Sequence, residues 1–576
     1  MRVDQKAEGP RQSMSWLHTW ASLILGWLLY AIFVTGTLSF FQNEISTWMK
    51  PETHQSIPAQ SQVQQMQVAL NYLQKNHLDA GSWNIQLPNS RQTTTEVTIR
   101  AVGEDPKARR GGTRITLDSA TGEVIEPRDT RGGGFLYRFH FELYGLPRLW
   151  TRWLVGIATM FMLVAIVSGI ITHKKIFKDF FTFRSGKGQR SWLDAHNATA
   201  VFALPFHLMI TFSGLLLLMF MFMPWGINQA YENRQQFLRD QQASMIEQPQ
   251  KAEDVQREDR GQREGERAAR GERGQQRGVH AQGRGEERPP QPELRPATLT
   301  DLAPIMAAVQ QQWKDNPIAS INIISPNTDQ AKIELRALRA ESVAHRNVYA
   351  TLNYNGVTGQ DETDKNIRIK NPSIPSGIYN VVTVLHEARG LDLALRWLLF
   401  CSGILGTLMV ATGLILWCVK RVPQQQKQGY KSFGFRLVEV LNIATIIGLP
   451  LACAAYFYAN RFIPADVEMR LNWEIRSFFT IWLLTLIYAI FRTHRQVWLD
   501  LLLLATLAFA LLPVVNLMTG GQALWNSVGQ GQWMIASVDL AMWVMAVIFY
   551  FAYDKVKKHQ GLPNKKVKAP VQEAEA

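Results

Sequence analysis

Cysteine is almost absent from this chain: there are three in 576 residues, Cys401, Cys418 and Cys453, all inside long apolar runs. The polar segments therefore carry no disulfide framework. No C-x-x-C-H occurs, which excludes covalently attached c-type haem, and no C-x-x-C cluster suggests iron–sulfur. No G-x-G-x-x-G follows a strand-like run, and no inner segment is long enough for a nicotinamide or flavin domain. Acidic residues are scarce in the apolar runs. Glu439 and Asp539 stand alone near run ends, so no buried carboxylate series offers proton coupling. Basic patches interleaved with aromatics are also missing, which sets nucleic acid aside despite a net charge of +14.

What the chain does have is long hydrophobic runs. Eight stretches are long enough to cross a bilayer core of about 30 Å: 15–41, 151–172, 197–223, 396–419, 437–459, 475–491, 497–518 and 535–553. The first is too long for a signal peptide and lacks a small-residue cleavage site, so it reads as a permanent anchor. Charge orients them. With residues 1–14 inside, the inner segments collect Arg2, Lys6 and Arg11, then Lys174, Lys175, Lys178, Arg184, Lys187 and Arg190 in loop 173–196. Loop 420–436 adds Lys420, Arg421, Lys427, Lys431 and Arg436; Arg492 and Arg495 follow, and tail 554–576 adds six lysines. The short outer loops hold only Arg461 and Arg470. Both termini are then expected on the cytoplasmic side of a bacterial inner membrane, with 42–150 and 224–395 in the periplasm.

The two outer regions repeat one pattern. "QSQVQQMQVALNYLQKNH" is helical by its apolar spacing, and "SWNIQLP", "TTEVTIRAV" and "GTRITLDSATGEVIEP" are strand-like. "LTDLAPIMAAVQQQW" and then "ASINIIS", "QAKIELRAL" and "NVYATLNYNGVTG" follow the same order. Residues 231–297, rich in Arg, Gln, Glu and Gly, lack the apolar side chains to offset ordering entropy, so a disordered insertion is expected there. The expected fold is a polytopic α-helical membrane protein. In it a duplicated helix–α/β module–helix unit forms a four-helix bundle, and four C-terminal transmembrane helices over 437–553 complete the chain.

The histidines follow the same duplication. His18 precedes Gly36 by eighteen residues, and His196 precedes Gly214 by eighteen. His140 and His386 each stand just before the second helix of their half. His173 closes the second span on the inner side, and His207 lies about 16 Å deeper than His196. A lone histidine at a membrane interface is more often a headgroup contact than a ligand. Matched placement on facing helices is what marks His18 with His196, and His140 with His386, as pairs of axial imidazoles for haem iron. His173 and His207 join them as cofactor-binding candidates, although the first half has Leu29 where the second has His207. His54, His77, His280, His345, His494 and His559 are assigned to solvent. Two haem b groups, one toward each face, would carry electrons across the bilayer.

The runs "SWLHTWASLILGWLLYAIFVTGTLSFF", "SGIITHKKIFKDFFTFR", "RSWLDAHNATAVFALPFHLMITFSGL" and "LRWLLFCSGILGTLMVATGLILWCVKR" resemble the PepSY-associated transmembrane family across about residues 13–420. That family includes iron-regulated inner-membrane proteins and ferric-siderophore reductases. The outer modules are similar to PepSY domains, which the resemblance does not extend to the insertion or the last four spans. It implies a haem-containing bundle that reduces a ferric chelate, such as a ferric siderophore, on the outer side. The electron donor would be quinol or a soluble reductase, reached through loops 174–192 and 420–436. Tyr137, Arg138, Arg148, Tyr379 and Arg389 lie near the outer histidines and are candidates for contact with an anionic chelate, although Arg and Tyr are ordinary at membrane interfaces. Two other readings compete: a transporter or accessory factor for siderophore uptake without redox activity, and a regulatory module acting through its PepSY-like domains.

Overall fold

A computed structural model describes residues 9–58, 61–108, 111–173, 184, 186, 188–247, 294–365 and 367–559. The basic stretch 174–183, most of the insertion (248–293), the tail from 560 and His280 lie outside these residues, so the expectations placed there are not addressed. Seven helices are long and apolar enough to cross a membrane, or eight if one bent pair counts as a span.

In chain order the first helices are α1 (Pro10–Ser39), α2 (Gln42–Trp48) and α3 (Gln62–Asn76). After four strands come α4 (Gly133–Glu142) and α5 (Arg148–Thr172), then α6 (Gln189–Phe202) and α7 (Leu204–Leu217). Short α8 (Met219–Phe222) and α9 (Pro224–Asn228) lead to α10 (Arg234–Ala243). Next are α11 (Leu302–Trp313), α12 (Ile374–Glu387) and the long α13 (Leu393–Gln428). The chain then runs through α14 (Phe433–Ile446), α15 (Gly448–Phe462), α16 (Arg470–Phe491), α17 (His494–Met518), α18 (Leu524–Gly529) and α19 (Trp533–Lys558).

The third span departs from expectation. It is not continuous over 197–223: α6 and α7 meet at 67°. Pro205, in the first turn of α7, has no N–H to continue the ladder, and its ring crowds the preceding turn. Pro513 sits inside α17 without ending it. Within the expected insertion, residues 231–247 form α10 and a short strand, β5 (Ile246–Glu247), contrary to the expectation of disorder there.

The outer regions do not form two separate modules. Strands β1 (Ser82–Gln86), β2 (Thr95–Arg100), β3 (Thr113–Leu117) and β4 (Val124–Ile125) join β6 (Ile318–Ile324), β7 (Lys332–Ala340) and β8 (Tyr349–Asn355) in one antiparallel sheet. Its order is β4-β3-β2-β1-β6-β7-β8. The seam is the β1–β6 ladder, with Trp83 opposite Ile323 and Ile85 opposite Ile321. Period-two alternation puts Trp83, Ile85, Val97, Ile321, Ile323, Ile333 and Leu335 on one buried face. That face packs with Met66, Leu70 and Leu73 of α3 and with Leu302, Met306 and Val309 of α11. Ser61 and Asp301 cap these helices by accepting from the N–H groups of Gln64 and Ala303. A last strand, β9 (Arg368–Ile369), pairs with β5.

Within the membrane-spanning part, α1 packs along α5 and against α13, while α13 packs along α6 and α5 meets α7. The C-terminal helices share a large apolar core with α2 and α4, including Trp48, Phe135, Phe139, Phe457 and Phe478.

Candidate functional site

Two pairs of imidazoles face each other between these helices. On the inner side, His18 of α1 and His196 of α6 have ring centres 6.2 Å apart, with planes at 67°. On the outer side, His140 of α4 and His386 of α12 have ring centres 6.1 Å apart, with planes at 47°. Along α1, His18 and the carbonyl that holds His140 are fourteen residues apart, which separates the two pairs by about 21 Å.

Each ring is fixed through Nδ1. His18 Nδ1 is 2.8 Å from the Ala165 carbonyl of α5, and His196 Nδ1 is 2.9 Å from the Met409 carbonyl of α13. His140 Nδ1 is 2.8 Å from the Ile32 carbonyl of α1. A carbonyl only accepts, so in all three rings Nδ1 carries the proton. His386 Nδ1 meets Ser213 Oγ at 2.7 Å. The Ser213 hydroxyl already donates to the Met209 carbonyl at 2.6 Å, so it accepts from His386. All four rings are therefore held in one tautomer, with the Nε2 lone pair free to bind a metal.

The spacing suits such a bond. Two metal–nitrogen bonds of about 2 Å, each ended by a ring about 1 Å in radius, place ring centres roughly 6 Å apart. Burial pushes His386 down to about 3, helped by the neighbouring His140, and burial also holds His140 below its usual value. The outer rings thus stay neutral, the form that ligates metal. Among the described residues no three His, Cys, Asp or Glu side chains converge on a bare ion. Each pair could supply two donors to a metal whose other positions a planar ligand fills.

Glycine makes room for each ring. A Cβ on Gly36 would come within 2.6 Å of His140, and one on Gly169 within 3.1 Å of His18. On Gly413 it would approach His196 to 3.1 Å, and on Gly214 it would approach His386 to 3.4 Å.

The other candidates are placed less uniformly. His173 caps α5, with Nε2 3.1 Å from Asn197 Nδ2 and Nδ1 buried without a partner. It stands beside the inner pair rather than facing either ring. His207 is fully buried, and neither ring nitrogen has a hydrogen bond; the Ala200 carbonyl lies near but outside bonding geometry. Tyr137 and Arg389 meet, the guanidinium donating to the phenol oxygen at 3.4 Å. Arg138 is exposed, and Arg148 lies 3.9 Å from Glu142 with most of its side chain in solvent. Tyr379 is part-buried on α12, two turns before His386.

Two histidines assigned to solvent are instead buried. His54 is 0 % exposed, with Nε2 donating to the Thr47 carbonyl and Nδ1 accepting from the Gln522 N–H. His345 is 5 % exposed and bonds Ser342. Sequence reasoning also missed Ser213, which orients His386, and the buried cluster in which Glu44 of α2 binds Arg396 of α13 at 2.6 Å and Arg91 at 3.1 Å. The hydroxyl is one of several in an apolar run, and its partner is remote in sequence. Acidic residues beside the outer histidines are a readable signal: Glu142 pairs with Arg152, and Glu387 with Arg346 at 2.9 Å.

Long apolar helices around part-buried imidazole pairs define a multi-pass helical membrane protein. The PepSY-associated TM region family matches residues 15–420, and the chain belongs to that family. No curated protein matches it.

Proposed function

We propose that the chain is a haem b oxidoreductase of the bacterial inner membrane that passes electrons to a ferric siderophore, or a similar ferric chelate, on the periplasmic side. The observation that carries this reading is the pair of imidazole pairs, each about 6 Å between ring centres and each presenting Nε2. His18 with His196, and His140 with His386, would each hold one haem, whose iron supplies one-electron chemistry. The Nδ1 acceptors keep the rings oriented, the glycines clear space beside them, and apolar walls exclude water. Oxygen-rich siderophores hold Fe(III) far better than Fe(II), so reduction loosens the chelate. Tyr137, three residues before His140, and Arg389, three after His386, meet each other and would contact an anionic chelate. Quinol or a soluble reductase would be the electron donor.

The test is the haem-to-protein ratio and reduced-minus-oxidised spectrum of the purified protein and of His18→Ala, His196→Ala, His140→Ala and His386→Ala. Wild type is expected to hold two haems. Each substitution should remove one, and both members of a pair should remove the same one. Colourless wild-type protein after haem supplementation would refute the reading. It would favour a transporter without redox activity, for which the 67° break between α6 and α7 is the supporting observation. Uptake of labelled chelate into vesicles would then be the measurement.

A further inference from the structure

Among the described residues of the bundle, His207 is the imidazole that neither faces another ring as a pair nor caps a helix. Its side chain is 0 % exposed, and both nitrogens lack a hydrogen-bond partner. An unpartnered polar group in a membrane interior is unfavourable. Phe33 of α1 stands edge-on to the ring at 6.2 Å, and a Cβ on Gly406 of α13 would come within 3.2 Å of its Nε2. The first half of the chain fills the corresponding place differently. Eleven residues past His18 stands Leu29, and ten past Arg152 stands Met162, where the second half has His207 eleven past His196 and Gly406 ten past Arg396. Leu29 and Met162 are both buried in one apolar cluster. Leu and Met at these positions are thus exchanged for His and Gly, which removes side-chain volume and adds polarity.

The added polarity has a definite location. On α13 the Met409 carbonyl holds His196, and Gly406, less than one turn outward, abuts His207. His207 therefore lies on the outward side of the inner pair, between it and the outer pair.

Resting on the proposed haem reading, we infer that His207 is a tuning residue: a neutral, unligated imidazole that lowers the reduction potential of the inner centre. The physical cause is charge. An iron porphyrin held by two neutral imidazoles carries one net positive charge when oxidised and none when reduced. A polar neighbour in an otherwise apolar wall favours the charged, oxidised form and lowers the potential. The outer pair has a different setting, with the Glu387–Arg346 and Glu142–Arg152 ion pairs beside it, so His207 acts on the inner centre alone.

Potentiometric titration of the full-length protein, followed in the visible haem bands, tests this with His207→Leu and His207→Asn, each also combined with His140→Ala so that the inner centre is read alone. Both single variants are expected to keep two haems. His207→Leu should shift one midpoint potential upward, the inner one by the His140→Ala background, while His207→Asn, which restores polarity, should stay near wild type. Unchanged potentials in His207→Leu, an equal shift in His207→Asn, or a shift of the outer centre would overturn the inference. Loss of a haem from His207→Leu would also overturn it, by making His207 a ligand. Wild-type protein without haem would instead overturn the reading beneath it.

Discussion

Gly36 offers the sharpest perturbation of the outer pair. Adding a single methyl there places a carbon 2.6 Å from both Nδ1 and Cε1 of His140, where ordinary contact begins near 3.4 Å. The ring cannot retreat without losing the Nδ1 bond to the Ile32 carbonyl. Overpacking of this size costs about 1–3 kcal/mol, and the lost hydrogen bond about 1 kcal/mol more. A total near 3 kcal/mol weakens ligand binding by about two decades. The other three glycines provide an internal scale, because the same methyl meets His18 and His196 at 3.1 Å and His386 at 3.4 Å. Gly36→Ala should lose most of the haem bound at the outer site, Gly169→Ala and Gly413→Ala should lose part of the inner haem, and Gly214→Ala should bind normally. Haem content at limiting haem, with helical content checked by circular dichroism, reads the series. Full occupancy in Gly36→Ala, or the greatest loss in Gly214→Ala, would refute the view that these glycines exist to clear the rings.

The Glu44–Arg396 pair, with both side chains 6 % exposed, should behave as a buried ion pair. Glu44→Leu alone is expected to cost about 3–5 kcal/mol, and adding Arg396→Met should recover most of it in thermal unfolding. His54 should make stability fall in acid. Burial, and then the nearby Arg461, press its folded value to about 3, below the ordinary 6.5. Its contribution is therefore complete above pH 6.5 and is lost as pH falls toward 3, by up to about 1.4 kcal/mol per pH unit. His54→Gln should flatten that slope between pH 7 and 5, and an unchanged slope would count against the assignment.

The pairing of His18 with His196 was readable from equal spacing to a later glycine, and that of His140 with His386 from their place just before the second helix of each half, both purely sequential signals. The carbonyls and hydroxyl that fix the rings were not readable, since Ala165, Ile32 and Met409 act through backbone atoms that any residue has. The shared sheet was hidden for a different reason. Alternation shows that β1 and β6 are strands, but nothing local shows that Trp83 faces Ile323 across the seam. Pro205 was visible, yet a proline in an apolar run is compatible with a kink or a break, and neighbouring helices decide which. His54 and His345 were misplaced because an isolated histidine in a polar stretch reads as exposed. For His54, burial comes from the remote Gln522 and Gln532 folding over it.

The four C-terminal spans carry no imidazole pair, but they bear on the outer one through α4. Phe139, the residue before His140, packs against Phe478, Phe479 and Trp482 of α16 with ring centres 5.7 to 6.1 Å apart. One turn earlier, Phe135 meets Tyr456 at 5.0 Å, and the Tyr456 hydroxyl donates to the Gly132 carbonyl at the start of the same helix. From the other direction, Ser46 of α2 accepts from the Gly133 N–H. So α4, only ten residues long and too short to be stable by itself, is held by aromatic packing on one flank and by α1 and α2 on the other. The counterpart helix α12 is fixed through Asn380, which donates to the Ala344 carbonyl, and through the Arg346–Glu387 pair. Two unlike supports thus hold the two rings 6.1 Å apart, and under the proposed metal ligation, which needs a ring position accurate to a fraction of an ångström, the extra helices would serve the outer pair without any redox centre of their own.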